Sequence, residues 1–218
     1  MQGQGSRSFR GCRMIGRLPR LLAVLLLAAL PVLSSCYVPD QFRAEIRIAR
    51  NGDFSLDYKG VLTWAPLYKE IVAGRYSQAE AQEKIEMIRR DLKRDDQFTS
   101  IRSIGRGQFD VTYHRTGNFV ANPGMVSFVR RNARILNIDA RPDGTVTVFA
   151  ETPNIDKARP LAEAGLLVRG SLRVISNMRV TGTPNATATY KDPDGEWTVY
   201  DWILDGTAPA YPEIVFQR

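Results

Sequence analysis

Hydrophobic and polar residues alternate along the first part of the chain as they do in half-buried β-strands. Phe, Ala and Ile alternate with Arg and Glu over residues 42–48, and apolar residues alternate with mostly polar ones over residues 54–64. The pair Asn51-Gly52, which favours a tight turn, separates the two runs. Residues 42–64 are therefore predicted to form an amphipathic β-hairpin with one buried face.

The hydrophobic period lengthens after this hairpin. Residues 66–73 (PLYKEIVA) predict a short helix that ends at Gly74, and Ser77 and Glu80 have the spacing of a capping box. Apolar residues then recur on one helical stripe: Ala81, Ile85, Ile88 and Leu92. We expect an amphipathic helix over residues 78–94. Its outer face mixes charges of both signs, which favours packing against the core over binding to a membrane surface.

From Phe98 onward, strand patterns dominate. The Pro-Asp-Gly sequences within residues 141–144 and 192–195 favour turns between strands. A second, shorter helix is expected over residues 157–167. We count about eight strands and one or two amphipathic helices, with no linker or repeat. The sequence therefore predicts a single α+β domain, residues 42–218, with a mainly antiparallel sheet.

The first 35 residues have the composition of an export signal. They hold five arginines and no acidic residue, and a 13-residue apolar run occupies residues 21–33. As a helix this run is about 20 Å long, too short to span a bilayer. Either Met1 or Met14 is the start of the chain, because the residues from Met14 onward already form a complete signal.

The apolar run ends in LSSC, residues 33–36, which resembles the lipobox of bacterial lipoproteins. The resemblance implies that Cys36 becomes the first residue of the mature protein and carries a diacylglycerol. Since Tyr37 rather than aspartate follows it, we expect an outer-membrane anchor facing the periplasm. Residues 36–41 are expected to form a short lipidated tether, with a reach of about 20 Å. The alternative is an ordinary export signal in which this cysteine has no role.

Removing the leader changes the charge and the available chemistry. The mature chain keeps 183 residues, and its net charge falls from +7 to +2 because five arginines are lost. Cys12 leaves with the leader and Cys36 is alkylated, so no free thiol remains for catalysis, disulfides or metal binding. The strong positive charge was the main reason to consider a nucleic-acid partner, so we do not expect one. No cofactor is expected.

His114 is the single histidine of the chain. On a strand it would share a face with Asp110 and Thr112, so a carboxylate and an imidazole could together support a base. The alternative is a solvated strand face. Gly105-Arg106-Gly107 lacks the third glycine of a dinucleotide site and predicts a turn. Without a nucleophile elbow, P-loop or zinc motif, we expect neither an enzyme nor a metal site.

Positive charge concentrates in residues 101–141, which hold seven arginines and two aspartates. Arg130, Arg131 and Arg134 form the tightest group. They are candidates for contacts with anionic ligands or lipid headgroups, because a guanidinium binds phosphate in a bidentate manner. The alternative is that these arginines are spread around a sheet and only solvate it.

The order of parts resembles that of the LppM-like bacterial lipoproteins. The shared parts are the lipobox Cys36, the hairpin over residues 42–64, and a strand-rich C-terminal region with an Asn, a Trp and a late Pro. In this sequence the last three are Asn185, Trp197 or Trp202, and Pro209 or Pro212. The resemblance covers residues 36–64 and about 170–218. It implies a fold that accommodates lipid. That family tends to carry a C-terminal membrane helix, and no such apolar run occurs here.

Two functions remain open at this point. The first is a non-enzymatic lipoprotein, held to the membrane through Cys36, that binds a lipid, a glycolipid or another envelope component. The second is a protein-interaction or assembly subunit of a cell-envelope complex, which an exposed edge strand or apolar patch would favour. An envelope hydrolase would rest on Asp110 and His114 alone.

Overall fold

The computed structural model describes residues 37–129, 135–150, 161–206 and 211–218. Within these ranges the chain forms twelve strands, two helices with described bounds, and a further helical segment at residues 161–163. The strands are β1 (Tyr37–Ile48), β2 (Asp53–Trp64), β3 (Phe98–Gly105), β4 (Gln108–Asn118), β5 (Gly124–Phe128), β6 (Leu136–Ala140), β7 (Thr145–Ala150), β8 (Arg169–Ser176), β9 (Arg179–Thr181), β10 (Ala188–Lys191), β11 (Thr198–Asp205) and β12 (Glu213–Gln217). The helices are α1 (Ala65–Val72) and α2 (Gln78–Leu92).

The strands form two sheets. The large sheet has seven strands in the order β10-β11-β8-β1-β2-β4-β3, and the small sheet has five in the order β5-β6-β7-β12-β9. Among these neighbours only β1 and β8 run parallel, and the other pairs are antiparallel. The predicted α+β class with a mainly antiparallel sheet is confirmed. The predicted count of about eight strands was too low for the described residues.

The predicted hairpin is present as β1 and β2, joined by a turn at Asn51-Gly52. Gly52 has a φ of +94°, which suits glycine because other residues carry a Cβ that clashes there. The strand β1 starts at Tyr37, so most of the segment expected to be a tether is strand instead. A register shift between Asp40 and Arg43 moves the alternation by one residue. This bulge interrupts the sequence pattern, which is why the earlier part of the strand was not predicted.

The capping box predicted at Ser77 is confirmed. The Ser77 hydroxyl accepts a hydrogen bond from the Glu80 amide at 3.3 Å, and the Glu80 carboxylate accepts one from the Ser77 amide at 2.9 Å. The helix α2 that follows buries Ile85 and Leu92 in the main core and ends two residues before the predicted bound. Short helix α1 is also confirmed, with Gly74 at its end in a left-handed conformation, φ +69°.

The two sheets share one hydrophobic core. Phe128 of the small sheet is fully buried against two tyrosines of the large sheet. Its ring centroid lies 4.3 Å from that of Tyr58 and 4.8 Å from that of Tyr113. Phe98 packs edge-to-face on Tyr113 at 5.1 Å. This aromatic group therefore fills the space between the sheets around Phe128.

A second, smaller apolar cluster lies near the start of β1. It joins Val38 and Ala65 to Leu161 and Leu166. Residues 161–163 are helical, within the helix expected over residues 157–167, and the first four residues of that expected helix lie outside the described part of the chain. The cluster packs this segment beside the entry to β1.

Candidate functional site

The four site residues predicted from the sequence all lie outside the described part of the chain. These are the lipidation candidate Cys36 and the arginine group Arg130, Arg131 and Arg134. The residues that follow these positions in the sequence, Tyr37 and Ile135, are described and make contacts within the domain. Tyr37 is only 6% exposed, and the Ile135 amide donates to the Phe128 carbonyl at 2.7 Å. The arginine group thus belongs to the connection between β5 and β6.

The residue after Cys36 lies in a row that crosses three strands. Tyr37 pairs with Trp64 across β1 and β2, and their rings meet edge-to-face at 4.8 Å. The Trp64 amide donates to the Gly107 carbonyl at 2.8 Å, just before β4. We call this row, together with the turn that joins β3 to β4, the anchor end. Burial, and to a smaller extent the carboxylate of Asp91, raises the pKa of the Tyr37 hydroxyl well above its usual range.

An ion pair lies beside the bulge of β1. The Arg169 guanidinium donates two hydrogen bonds to the Asp40 carboxylate, at 2.8 and 2.6 Å. These bonds raise the pKa of Arg169 above its usual range. Because Arg169 opens β8, the pair joins the start of that strand to β1 at a point 129 residues earlier in the sequence. Because two parallel hydrogen bonds must form at once, such a bidentate pair restricts the orientation of the guanidinium relative to the carboxylate.

The turn between β3 and β4 is exposed at its tip, Arg106, while Gly107 is buried. The predicted turn is confirmed, and its three residues Gly105, Arg106 and Gly107 have φ values of +93°, +53° and +74°. Arg106 is exposed and forms no ion pair with any residue that the structure describes. Ile104, immediately before the turn, is 45% exposed. The anchor end therefore presents one aliphatic and one cationic side chain.

Charged residues form a row across the outer face of the large sheet. Arg173 donates to both carboxylate oxygens of Asp201, at 2.8 and 3.0 Å. The strand registers then place Glu45 beside Arg173, and Asp57 beside Glu45, with His114 last. The hydrogen bond from Arg173, opposed by partial burial, lowers the pKa of Asp201, and the same contact raises the pKa of Arg173. In this row Arg173 lies between the carboxylates of Asp201 and Glu45, and Glu45 faces a second carboxylate, Asp57.

His114 and Asp110, two of the residues considered for acid–base chemistry, have different hydrogen-bond partners. An imidazole nitrogen of His114 lies 2.6 Å from the Asp57 carboxylate, on the neighbouring strand β2. Asp110 is instead paired with Arg102, at 2.6 Å. His114 is exposed on a polar sheet face. This arrangement agrees with the solvated strand face that was the alternative interpretation of the sequence.

Trp197 and Trp202, near the C-terminus, lie in different environments. Trp202 is 3% exposed and lies in the main core. Trp197 is partly exposed, and the guanidinium carbon of Arg47 lies 4.2 Å from its ring centroid. Such a cation–π contact stabilises an exposed pair only modestly. Neither tryptophan is arranged around an open pocket in the described contacts.

A small pocket lies at the end of the domain opposite the anchor end. Its lining includes Gly52 of the first hairpin turn, Gly144, Arg141 and Arg218. Its interior volume is about 20 Å³, which is room for one ordered water and far less than an acyl chain needs. The pocket therefore offers no site for a lipid.

The strand β10 forms an edge of the large sheet, and all four of its residues are exposed. The Asp192 amide donates to the Trp197 carbonyl at 3.0 Å. Since bonded residues alternate along an antiparallel strand, Tyr190 and Ala188 also bond to β11, and the amide of Thr189 points away from the sheet. This edge is open to an additional strand in the part of the chain that the structure describes.

The described ranges contain neither a cluster of metal-ligating side chains nor a helix that could cross a membrane. No three His, Cys, Asp or Glu side chains in these ranges come together in a way that would hold a metal ion. Neither α1 nor α2 is long and apolar enough to cross a bilayer, and the described residues hold no other helix that is.

Sequence reasoning missed three features that the structure brings out. These are the open edge at β10, the charge row, and the exposed pair Ile104 and Arg106. The glycines at 105 and 107 did signal the turn, but nothing in the pattern indicated that it lies beside Tyr37. The charge row depends on strand order, which alternation alone does not reveal.

Comparisons with known proteins give little further information. No family model matches the chain, and no curated protein matches it. Among solved structures, the NMR structure of the folded domain of LppM from Mycobacterium tuberculosis is similar, with 13% sequence identity and a TM-score of 0.40. The match covers 86% of this chain and 94% of that one.

Proposed function

We propose that this chain is a lipid-anchored, non-enzymatic protein of the bacterial cell envelope, acylated at Cys36 and held at the outer membrane facing the periplasm. The observation that carries the proposal is the position of β1. The strand begins at Tyr37, directly after the lipobox-like motif, and Tyr37 is already buried. The motif and the folded domain therefore meet without a spacer, as expected if cleavage before Cys36 leaves the whole domain intact.

Intact mass and fractionation of the protein from a Gram-negative host would test this. We expect a mature chain that starts at Cys36, carries two or three acyl chains and sediments with the outer membrane. The Cys36→Ser variant is expected to lose the acyl mass and to leave the membrane fraction. A wild-type chain without acyl mass, or a variant that fractionates as wild type does, would refute the proposal.

The folded domain is proposed to recognise an envelope component. A lipid or glycolipid is the first candidate because of the anchor. However, Phe128 packs between the sheets against Tyr58 and Tyr113, and the small pocket described above has room for only one water, which favours recognition at the surface over enclosure of an acyl chain. Lipid extraction of the purified domain, followed by mass spectrometry, distinguishes surface recognition from enclosure. A co-purified lipid at about one per chain would support enclosure and contradict surface recognition.

A protein partner is the second candidate, and the exposed edge at β10 favours it. A partner that adds a strand there would use the outward amide of Thr189. Thr189→Pro removes that amide without breaking a bond to β11, whereas Thr189→Ala removes the side chain and keeps the amide. Crosslinking in membranes is expected to lose the partner in the proline variant only. Equal crosslinking in both variants would argue against the edge.

The proposal of a non-enzymatic protein is tested at the single histidine. His114→Ala removes the one imidazole and its contact with Asp57. We expect an unchanged envelope phenotype, compared with deletion of the gene. A variant that is folded and anchored but behaves as the deletion does would revive the hydrolase hypothesis.

A further inference from the structure

The anchor fixes which end of the domain faces the bilayer. Tyr37, Trp64 and Gly107 lie in one row across β1, β2 and β4. Neighbouring strands are about 4.8 Å apart, so Gly107 lies roughly 10 Å from Tyr37 and the end of β3 about 14 Å from it. Cys36 is one residue from Tyr37, which is about 3.8 Å. With acyl chains on Cys36, the turn that joins β3 to β4 is therefore held within a few residues' length of the lipid surface.

The side chains at this turn have the chemistry of a membrane contact. Ile104 is 45% exposed although it is aliphatic, and Arg106 is exposed without an ion pair among the described residues. An aliphatic side chain is stabilised among acyl chains and headgroups, and an arginine binds lipid phosphates. The two residues lie on either side of Gly105, so both can meet one surface.

The backbone of the turn supplies an independent observation. Arg106 has a φ of +53°, a left-handed conformation that costs free energy in any residue with a Cβ. The glycines on both sides adopt such angles without that cost. Arg106 and Gly107 are the two residues between the paired Gly105 and Gln108, and a two-residue hairpin turn requires positive φ at both. The turn therefore holds Arg106 at the tip of the hairpin.

We propose that the turn of Gly105, Arg106 and Gly107, together with Ile104, is a membrane-docking element that seats on the anionic surface of the bilayer holding the Cys36 anchor. Ile104 enters the headgroup region and Arg106 binds lipid phosphates. The inference rests on the proposed function, because the anchor is what presents this end to lipid. Docking at this turn would hold the anchored domain in one orientation relative to the bilayer.

Single-cysteine labelling tests the docking. Acylated Cys36 has no thiol, so Ile104→Cys introduces the one reactive group of the mature lipoprotein. Val120→Cys is the matched control, since Val120 is 53% exposed and lies beside the first hairpin turn, where the Phe119 amide donates to the Gly52 carbonyl at 2.8 Å. The twelve residues of β2 separate the two ends by about 36 Å.

The acylated variants, labelled with an environment-sensitive dye, are reconstituted into phosphatidylglycerol–phosphatidylcholine vesicles containing spin-labelled lipid. We expect a blue-shifted and quenched label at position 104 and an unshifted, unquenched label at position 120. Arg106→Gln is expected to lower the ratio of docked to undocked protein about fivefold, or ~1 kcal/mol, while Arg106→Lys keeps it. In phosphatidylcholine alone the arginine should make no difference.

Three outcomes would overturn the proposed docking. A label at position 104 that stays in water on an acylated chain overturns the docking and leaves the proposed anchor intact. Equal quenching at positions 104 and 120 also overturns it, because the domain then lies on its side or tumbles. A chain whose intact mass lacks acyl groups overturns the proposed function and, with it, the docking.

Discussion

The side-chain oxygen of Asn185 accepts a hydrogen bond from the indole nitrogen of Trp202, at 2.8 Å. The same oxygen accepts a bond from the Glu213 amide at 3.2 Å, and the Asn185 amide group donates to the Tyr211 carbonyl at 2.7 Å. Trp202 belongs to the large sheet and Glu213 opens the last strand of the small sheet. One asparagine therefore links the two sheets through three hydrogen bonds.

Replacing this asparagine should weaken the link between the sheets. Asn185→Ala leaves the buried indole N–H of Trp202 without its partner, and an unsatisfied buried donor costs about 2 kcal/mol. We expect a lower urea midpoint with an unchanged slope. Asn122→Ala is the control, since Asn122 is exposed and its side chain forms no hydrogen bond among the described residues. Equal stability of the two variants would contradict this role of Asn185.

Truncating Phe128 should lower the free energy of unfolding by more than Asn185→Ala does. Phe128→Ala removes a fully buried ring that contacts Tyr58 and Tyr113, and such a truncation typically costs about 3–5 kcal/mol. Met125→Ala, on the same strand but 46% exposed, is expected to change the free energy of unfolding by less than ~0.5 kcal/mol. Chemical unfolding measures both. A small effect at Phe128 would mean that the two sheets are not packed as described.

A glycine of β2 is predicted to be intolerant of even one methyl group. A Cβ on Gly60 would lie 2.5 Å from the Cβ of Phe42 on the adjacent strand, next to the bulge of β1. Gly60→Ala should destabilise the domain by about 1–3 kcal/mol through overpacking. Ser55→Ala, on the same strand, adds no atoms and serves as the control. Thermal unfolding that leaves Gly60→Ala unchanged would show that β1 can shift away.

The ion pair between Arg173 and Asp201 should make stability depend on pH in a defined direction. The pKa of Asp201 is lowered by Arg173, so its contribution is present above the ordinary aspartate pKa of about 3.9 and is lost as pH falls through the lowered value. Because both side chains are partly exposed, the contribution at pH 7 is about 1 kcal/mol or less.

Urea unfolding of Asp201→Asn at several pH values checks this. The variant should be less stable than wild type near pH 7. The difference should shrink below about pH 4 and disappear once the pH has fallen through the lowered pKa of Asp201. Asp194→Asn, which removes an exposed carboxylate without an ion pair among the described residues, is the control. A difference at Asp201 that stays constant with pH would rule out the electrostatic origin.

The capping box of α2 provides a further prediction. Ser77→Ala removes the acceptor of the Glu80 amide and should cost about 1 kcal/mol. Ser100→Ala, at an exposed position of β3, is expected to be neutral. Helical circular dichroism and the unfolding midpoint together distinguish a loss at α2 from a general effect. Loss of stability in Ser100→Ala as large as in Ser77→Ala would contradict the assignment.

Local signals in the sequence were enough for the elements that depend on near neighbours. The alternation around Asn51-Gly52 predicted the first hairpin, and the spacing of Ser77 and Glu80 predicted the start of α2. Both rest on contacts between residues close in the chain, which carry their own sequence signature. The α+β class follows from these elements together with the strand-rich second half.

Contacts between distant segments could not be predicted in the same way. The partner of His114 is Asp57, because β2 pairs with β4 although β3 lies between them in the sequence. Likewise, nothing near Arg169 indicates that it bonds to Asp40. The anchor end is built from such pairings, so the sequence predicted a lipidation site at Cys36 but not the turn at the same end of the sheet.

The parallel pairing of β1 with β8 has a consequence for the order of assembly. Ile46 lies opposite Val174, so the first strand gains its second neighbour only when the chain is nearly complete. The β1–β2 and β3–β4 pairs are closed by short turns, whereas closing the long loop from β1 to β8 is slow. If the chain is threaded through a translocation channel from its N-terminus, the large sheet therefore stays unfinished until residue 176 has passed, and until then one edge of β1 has no strand to pair with.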